Sequence, residues 1–260
     1  MRQHLFLLRE LVRRDFQSRY VGSLLGFMWA FLMPMWQLLL FSFVFATVMK
    51  VTLVGERTGN FAIFMFCGML PWLAINEGVT RSATAILDNA PLVKKMSFPS
   101  EILVMAVVVG GLIHEGIAAV VFFGVLVFFG ELSWNGLPHL LWVLPIQVAL
   151  TLGLGLLLCC VQTLFRDTIQ VLNMLMMGWF FFTPIVYPLS QVPEKAYKLL
   201  LWNPLTILVT AYRRALLSGE GEGVSLPMWS IVGTAAFAFL LLFLGLRLFR
   251  RLEPGFADEI

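Results

Sequence analysis

A chain of 260 residues that is 60% apolar and 13% charged, with a mean hydropathy of +0.89, is not a soluble globular domain, in which about half the residues are apolar and about a quarter charged. Its apolar runs are continuous rather than alternating, which points to an all-α integral membrane protein. The net charge of +3 decides little, and no nucleic-acid partner is expected. Cys67, Cys159 and Cys160 each fall inside an apolar run and imply no disulfide framework.

Residues 1–22 read as an amphipathic helix. Leu5, Leu8, Val12 and Phe16 share one face, and Glu10, Arg14 and Gln17 lie on the other. Such a helix rests in the membrane surface with its arginines among lipid headgroups. Charges at Arg9, Glu10, Arg13, Arg14 and Asp15 interrupt any signal-peptide core, so a cleavable leader is not expected. Gly22 and Gly26 let the chain turn into a first span, Leu24–Met49, which is long enough to cross about 30 Å of hydrocarbon with some tilt. Pro34 and Gln37 sit within it.

Five further spans are expected, at Phe61–Val79, Ile102–Phe129, Leu140–Leu164, Ile169–Tyr187 and Met228–Leu246. With the N-terminus in the cytoplasm, twelve of the eighteen Lys and Arg residues fall on the cytoplasmic side, so both termini are placed there. Between the fifth and sixth spans, residues 188–227 are punctuated by prolines. Tyr197–Trp202 and Thr206–Leu217 are too short to cross but apolar enough to enter the bilayer. They read as two short re-entrant helices rather than a surface hairpin. One membrane domain covers residues 1–260, with no internal repeat.

Few residues suggest chemistry. No lysine stands in a Gly-Lys-Ser/Thr context, so no phosphate-cradling loop is present, and His4, His114 and His139 lack metal-ligand spacing. Enzymatic activity in this chain is therefore not expected. His114 and Glu115, adjacent inside a span, read either as a proton relay or as a polar contact between helices brought close by Gly110, Gly111 and Gly116. Neighbours on a helix point about 100° apart, which favours the contact. Asp167, three residues before Gln170, resembles a capping box at the start of the fifth span. Residues 82–101, which include Asp88, Leu92, Lys94, Lys95, Phe98 and Pro99, mix charge with apolar side chains between Pro91 and Pro99. That pattern suggests a knob that docks into a soluble partner. Aromatics crowd the first and fifth spans, and they read either as lipid contacts or as a stacking surface for sugar rings.

Several ordered motifs resemble one family. Arg14-Asp15, Arg19-Tyr20, Gly22-Ser23-Leu24-Leu25-Gly26, Trp29 and Pro34 look like the opening of the membrane subunits of type-2 ABC exporters for lipid-linked polysaccharides. Leu92–Leu103 resembles their cytoplasmic coupling loop, with Met96-Ser97 standing where a more aromatic pair is usual. Phe165-Arg166-Asp167, Thr183-Pro184-Ile185 with Tyr187, Trp202-Asn203-Pro204-Leu205 with Tyr212-Arg213, and Phe256-Ala257-Asp258 continue the match nearly to the end.

The resemblance implies a homodimer in the bacterial inner membrane with two ATPase subunits docked below. Those subunits, and not this chain, carry ATP and Mg. It implies export of undecaprenyl-pyrophosphate-linked glycan, with O-antigen exporters the nearest subgroup and teichoic-acid or capsule exporters as alternatives. It places Trp29, Trp36, Phe41, Phe180, Phe182 and Tyr187 on the substrate path. Arg13, Arg14 and Arg19 then stand at a pyrophosphate entrance, and Asp88, Leu92, Lys94, Lys95, Phe98 and Pro99 at the ATPase contact. Two rival readings are a proton-coupled secondary transporter, disfavoured by the lack of inverted repeats, and a non-transporting membrane scaffold.

Overall fold

The computed structural model describes residues 2–20, 28–95, 99–218 and 225–256. In chain order the helices are α1 (Arg2–Tyr20), α2 (Trp29–Ser42), α3 (Phe61–Asp88), α4 (Ala90–Lys95), α5 (Glu101–Phe129), α6 (Leu140–Leu164), α7 (Thr168–Phe182), α8 (Glu194–Leu200), α9 (Pro204–Leu216) and α10 (Met228–Leu252). Extended pairing among the described residues is limited to one bridge between Leu132 and Leu217. The α2 helix continues into a π-helical stretch, Phe43–Val48.

Among the described residues, α3, α5, α6 and α10 have the length and apolar composition to cross a bilayer. The third and fourth expected spans agree with α5 and α6 to within a residue. Three other boundaries need correction. α3 runs past Val79 to Asp88, because Ala83, Ala85 and Ile86 still bury a face there although charge has appeared on the other. α10 likewise continues past Leu246 through Arg250 and Arg251. α7 stops at Phe182 rather than Tyr187, since Pro184 has no N–H to donate and disfavours helical backbone at Thr183. Its 15 residues cover about 22 Å, less than the hydrocarbon thickness. Gly22 and Gly26 lie outside the described residues.

The expected capping box at Asp167 also fails. Asp167 occupies the N-cap position without a side-chain bond. Its work is done from the preceding helix: Gln162 Oε1 accepts from the Ile169 N–H at 2.7 Å, and Gln162 Nε2 donates to the Arg166 carbonyl at 3.0 Å. One carboxamide thus satisfies an orphan donor of α7 and closes the turn.

α6 lies at the centre of the bundle, packed against α3 and α10. Where α6 meets α10, backbones touch. A Cβ on Gly153 would sit 2.6 Å from the Leu242 nitrogen, and one on Gly245 2.9 Å from the Gly153 carbonyl oxygen. This is the small-residue contact by which helices associate in lipid. It is not at the expected glycines: Gly111 only approaches the Ala74 carbonyl, and Gly116 meets open space.

Two ends of the bundle can be told apart. At one end, Arg57 Nη1 donates to the Leu217 carbonyl at 3.0 Å, and the segment after α5 bonds the end of α9 through Ser133 and Ser218. At the other, Arg250 pairs with Glu101 at 3.0 and 3.1 Å, and the Ser100 N–H donates to Glu253 Oε1 at 2.6 Å. There Leu11 and Val93 pack on the cluster of Ile86, Leu103, Phe249 and Phe256, so α1, α4 and the end of α10 share one end.

Candidate substrate path and coupling face

The α2 helix turns one stripe outward. Trp29, Leu32, Trp36, Leu39 and Phe43 recur at three- and four-residue spacing and are all exposed. Its other side holds it to the bundle: Phe41 stacks on Phe180 at 5.7 Å and 22°, and Phe45 on Phe61 at 6.1 Å and 20°. On α7, Leu172, Met176 and Phe180 repeat every four residues and are buried. The rest of that helix is open, with Met174, Met177, Phe181 and Phe182 exposed beside Gln170 and Asn173. Two polar amides on an otherwise apolar exposed face suit protein or water better than hydrocarbon.

The six residues expected on the substrate path therefore divide. Trp29, Trp36 (60% exposed) and Phe182 are on open faces. Phe180 is 6% exposed, enclosed by Phe41, by Trp72 at 5.4 Å and by Phe181 at 5.2 Å. Phe41 and Phe180 thus form an internal stack that fastens α2 to α7. Tyr187, half-buried, donates its hydroxyl to the Phe181 carbonyl at 3.3 Å and lies beyond the helix.

At the end shared by α1 and α4, charged side chains tie the surface helix to the bundle. Arg14 Nη2 donates to Asn89 Oδ1 at 2.8 Å. Arg81 pairs with Asp15 through both nitrogens and with Glu77 at 3.3 Å, and His114 Nδ1 lies 3.5 Å from Glu77. Arg14, Asp15, Arg81, Asp88 and Asn89 line a cavity of about 210 Å³. Arg13 is exposed nearby, whereas the side chain of Arg19 lies outside the described residues. In the segment expected to meet an ATPase, Asp88 accepts from Thr84 Oγ1 at 2.7 Å. Leu92, Val93 and Pro99 are half-buried and Lys94 is exposed. The Lys95 side chain and all of Met96, Ser97 and Phe98 lie outside the described residues. Residues 82–101 thus begin inside α3 and take in α4.

His114 and Glu115 do not share a site. His114 faces Glu77, while Glu115 is buried against Gln147 and Tyr212. The contact between helices is the one the structure contains.

Arg213 is the residue that sequence reasoning missed, having been counted as an outer-loop charge. It is 6% exposed. Its guanidinium donates to the Pro184 carbonyl at 2.6 Å, the Ile185 carbonyl at 2.9 Å and the Phe64 carbonyl at 3.3 Å. It also stacks 3.5 Å above the Phe64 ring. Pro184 ends α7 and leaves carbonyls without helical donors, and the planar fork of Arg213 replaces them. Gly68 makes the room, since a Cβ there would meet Arg213 Nη2 at 2.9 Å. Helical phase offered no signal, because α9 is buried on every side from Leu205 to Arg213, including Ile207, Thr210 and Ala211 on the face of the exposed Arg214.

Residues 7–217 match the ABC-2 type transporter family. Over 99% of its length the chain is 32% identical to the O-antigen export system permease protein RfbA of Myxococcus xanthus, covering 96% of that protein. It is 27% identical to an O-antigen export system permease protein RfbA of Klebsiella pneumoniae, over 97% of this chain and 94% of the relative. The polysialic acid transport protein KpsM of Escherichia coli is 27% identical, over 94% and 93%.

Proposed function

The chain belongs to the ABC-2 type transporter family, and from that premise we propose that it is the membrane subunit of an exporter of lipid-linked surface polysaccharide, with O-antigen as the cargo. The observation that carries this reading is the 32% identity, over nearly the whole of both chains, to a permease named for O-antigen export. Two copies pair through the open faces of α2 and α7, whose exposed aromatics and amides form the wall of the path. Trp29, Trp36 and Phe182 touch the glycan, and Phe41, Phe180 and Tyr187 hold the wall's shape. α2 with its continuation to Val48, and α7 with the buried residues 183–186 after it, complete six spans with the four long helices, and α8 and α9 enter from the outer face.

The end carrying α1, α4 and the end of α10 faces the cytoplasm of a bacterial cell. There the coupling segment from Asp88 to Pro99 seats two copies of an ATPase that binds ATP and Mg. Arg13, Arg14 and Arg19 draw in the pyrophosphate of an undecaprenyl-linked glycan by paired guanidinium bonds. The likeness to a polysialic acid transport protein favours capsular polysaccharide as the second cargo class.

Co-purification with the candidate ATPase, followed by ATPase assay with and without lipid-linked glycan, tests the reading. A complex of two and two stimulated by O-antigen lipid is expected, and stimulation by capsular glycan alone would move the cargo to the second class. A chain that purifies without an ATPase and ignores both glycans would overturn the proposal.

A further inference from the structure

Glu115, Gln147 and Tyr212 bring α5, α6 and α9 together in a closed ring of three short contacts. Gln147 Nε2 is 2.6 Å from Glu115 Oε2, the Tyr212 hydroxyl is 2.7 Å from Glu115 Oε1, and the same hydroxyl is 2.6 Å from Gln147 Oε1. All three side chains are buried. Each contact needs one proton between its two heavy atoms, or it sets two acceptors against each other. The tyrosine hydroxyl has one proton and can serve one contact. The carboxamide offers protons only from its nitrogen end and serves one more. Turning the amide over does not change the count: nitrogen then faces the hydroxyl, and the amide oxygen faces the carboxyl group instead. A third proton is still required, and Glu115 is the remaining group able to carry it.

We propose that Glu115 is held as a neutral carboxylic acid whose O–H completes this ring, and that the ring positions the outer helix α9 on the α5–α6 frame. An ionised carboxylate would leave two oxygens 2.6–2.7 Å apart with no hydrogen between them inside a buried site. Among the described residues, the other ionisable groups nearby do not supply a counter-charge. His114 turns to Glu77, Arg213 turns to the carbonyls after α7, and α3 presents the buried thiol of Cys67 on the Tyr212 side. Glu115 is thus a positioning residue, and the inference does not rest on the transport reading.

Infrared difference spectroscopy of the purified full chain in lipid tests the protonation. The wild type should show the C=O stretch of a buried carboxylic acid, shifted by deuterium exchange and absent in Glu115→Gln. The same variant should keep the wild-type thermal midpoint, because its amide supplies the proton that the acid's O–H supplied. Tyr212→Phe, which removes one of the three protons, should lower the midpoint by about 2–4 °C. A wild type without that band, or a Glu115→Gln protein that loses more stability than Tyr212→Phe, would overturn the proposal. Should Glu115→Gln fail to fold, a wild-type acid band that shifts in Tyr212→Phe supports the proposal, and one that Tyr212→Phe leaves unmoved overturns it.

Discussion

The α6–α10 contact and the outer face of α2 with α7 are both apolar, yet one is closed and the other open. Gly153 and Gly245 let two backbones meet within about van der Waals distance, and nothing larger fits between them. The stripe on α2 and its continuation carries some of the largest side chains in the chain, Trp29, Trp36 and Phe43, and they are exposed. Small residues lie where two helices of the frame meet, and large ones on the face that the rest of the chain leaves open. The fold is thus a frame of α3, α5, α6 and α10 to which α2 and α7 are fastened at a few points, among them the Phe41–Phe180 stack, Gln162 and Arg213.

The sharpest way to break the frame is to fill its narrowest point. Gly153→Leu forces a side chain against the backbone of Leu241 and Leu242. Helix backbone cannot give way as a flexible side chain does, so a loss of about 3 kcal/mol or more is expected. The check is the yield and thermal midpoint of detergent-solubilised protein. A well-folded Gly153→Leu would show that the two helices are not held at this distance.

Next in size is the clamp that fastens the end of α7. Arg213→Met keeps much of the side chain's length but strips the donors from the Pro184 and Ile185 carbonyls, at a cost of about 2 kcal/mol. Arg213→Lys should recover only part of it, because one ammonium cannot reproduce the planar fork. Thermal melts of both variants decide this. Full recovery by lysine would mean that the charge, and not the geometry, is what matters.

The comparison also explains what could be read from the residues alone. Continuous apolar runs located α5 and α6 almost to the residue, because polar or turn-forming residues bound both, Ser100 and Gly130-Glu131 for α5, His139 and Arg166-Asp167 for α6. The same logic misplaced the ends of α3 and α10, where helix continues into charged sequence. Hydropathy reports where lipid is, whereas helicity depends on backbone bonding and on one buried face. Arg213 was illegible because its partners are backbone carbonyls of Phe64, Pro184 and Ile185, which no side-chain pattern announces. The aromatics of the first and fifth spans were legible as composition, but only packing separates the inward ring of Phe180 from the outward ring of Trp36.

A smaller effect is expected at the start of α7. Gln162→Leu removes the acceptor for the Ile169 N–H and the donor to the Arg166 carbonyl, both at a partly solvated turn. Loss of a helix cap of this kind costs about 1 kcal/mol. Hydrogen exchange at the first turn of α7 should quicken while the exchange of α6 and α10 stays as in the parent. Unchanged exchange at Ile169 would mean that another group holds the turn.

The smallest effect on stability, and the one that bears most on function, belongs to the open face. Trp36 is largely exposed, so Trp36→Ala should change the thermal midpoint by no more than about 0.5 kcal/mol implies. If the stripe is the wall of the path, export in cells should nevertheless fall well below the parent at equal protein level. Phe180→Ala should do the reverse in order of cause: it opens the internal stack with Phe41 and Trp72, costs about 3 kcal/mol, and lowers export through lost protein. Normalising export to folded protein separates the two. A Trp36→Ala variant that exports normally would hand this stripe to lipid, leaving the amide-bearing face of α7, with Gln170 and Asn173, as the surface to test for the path.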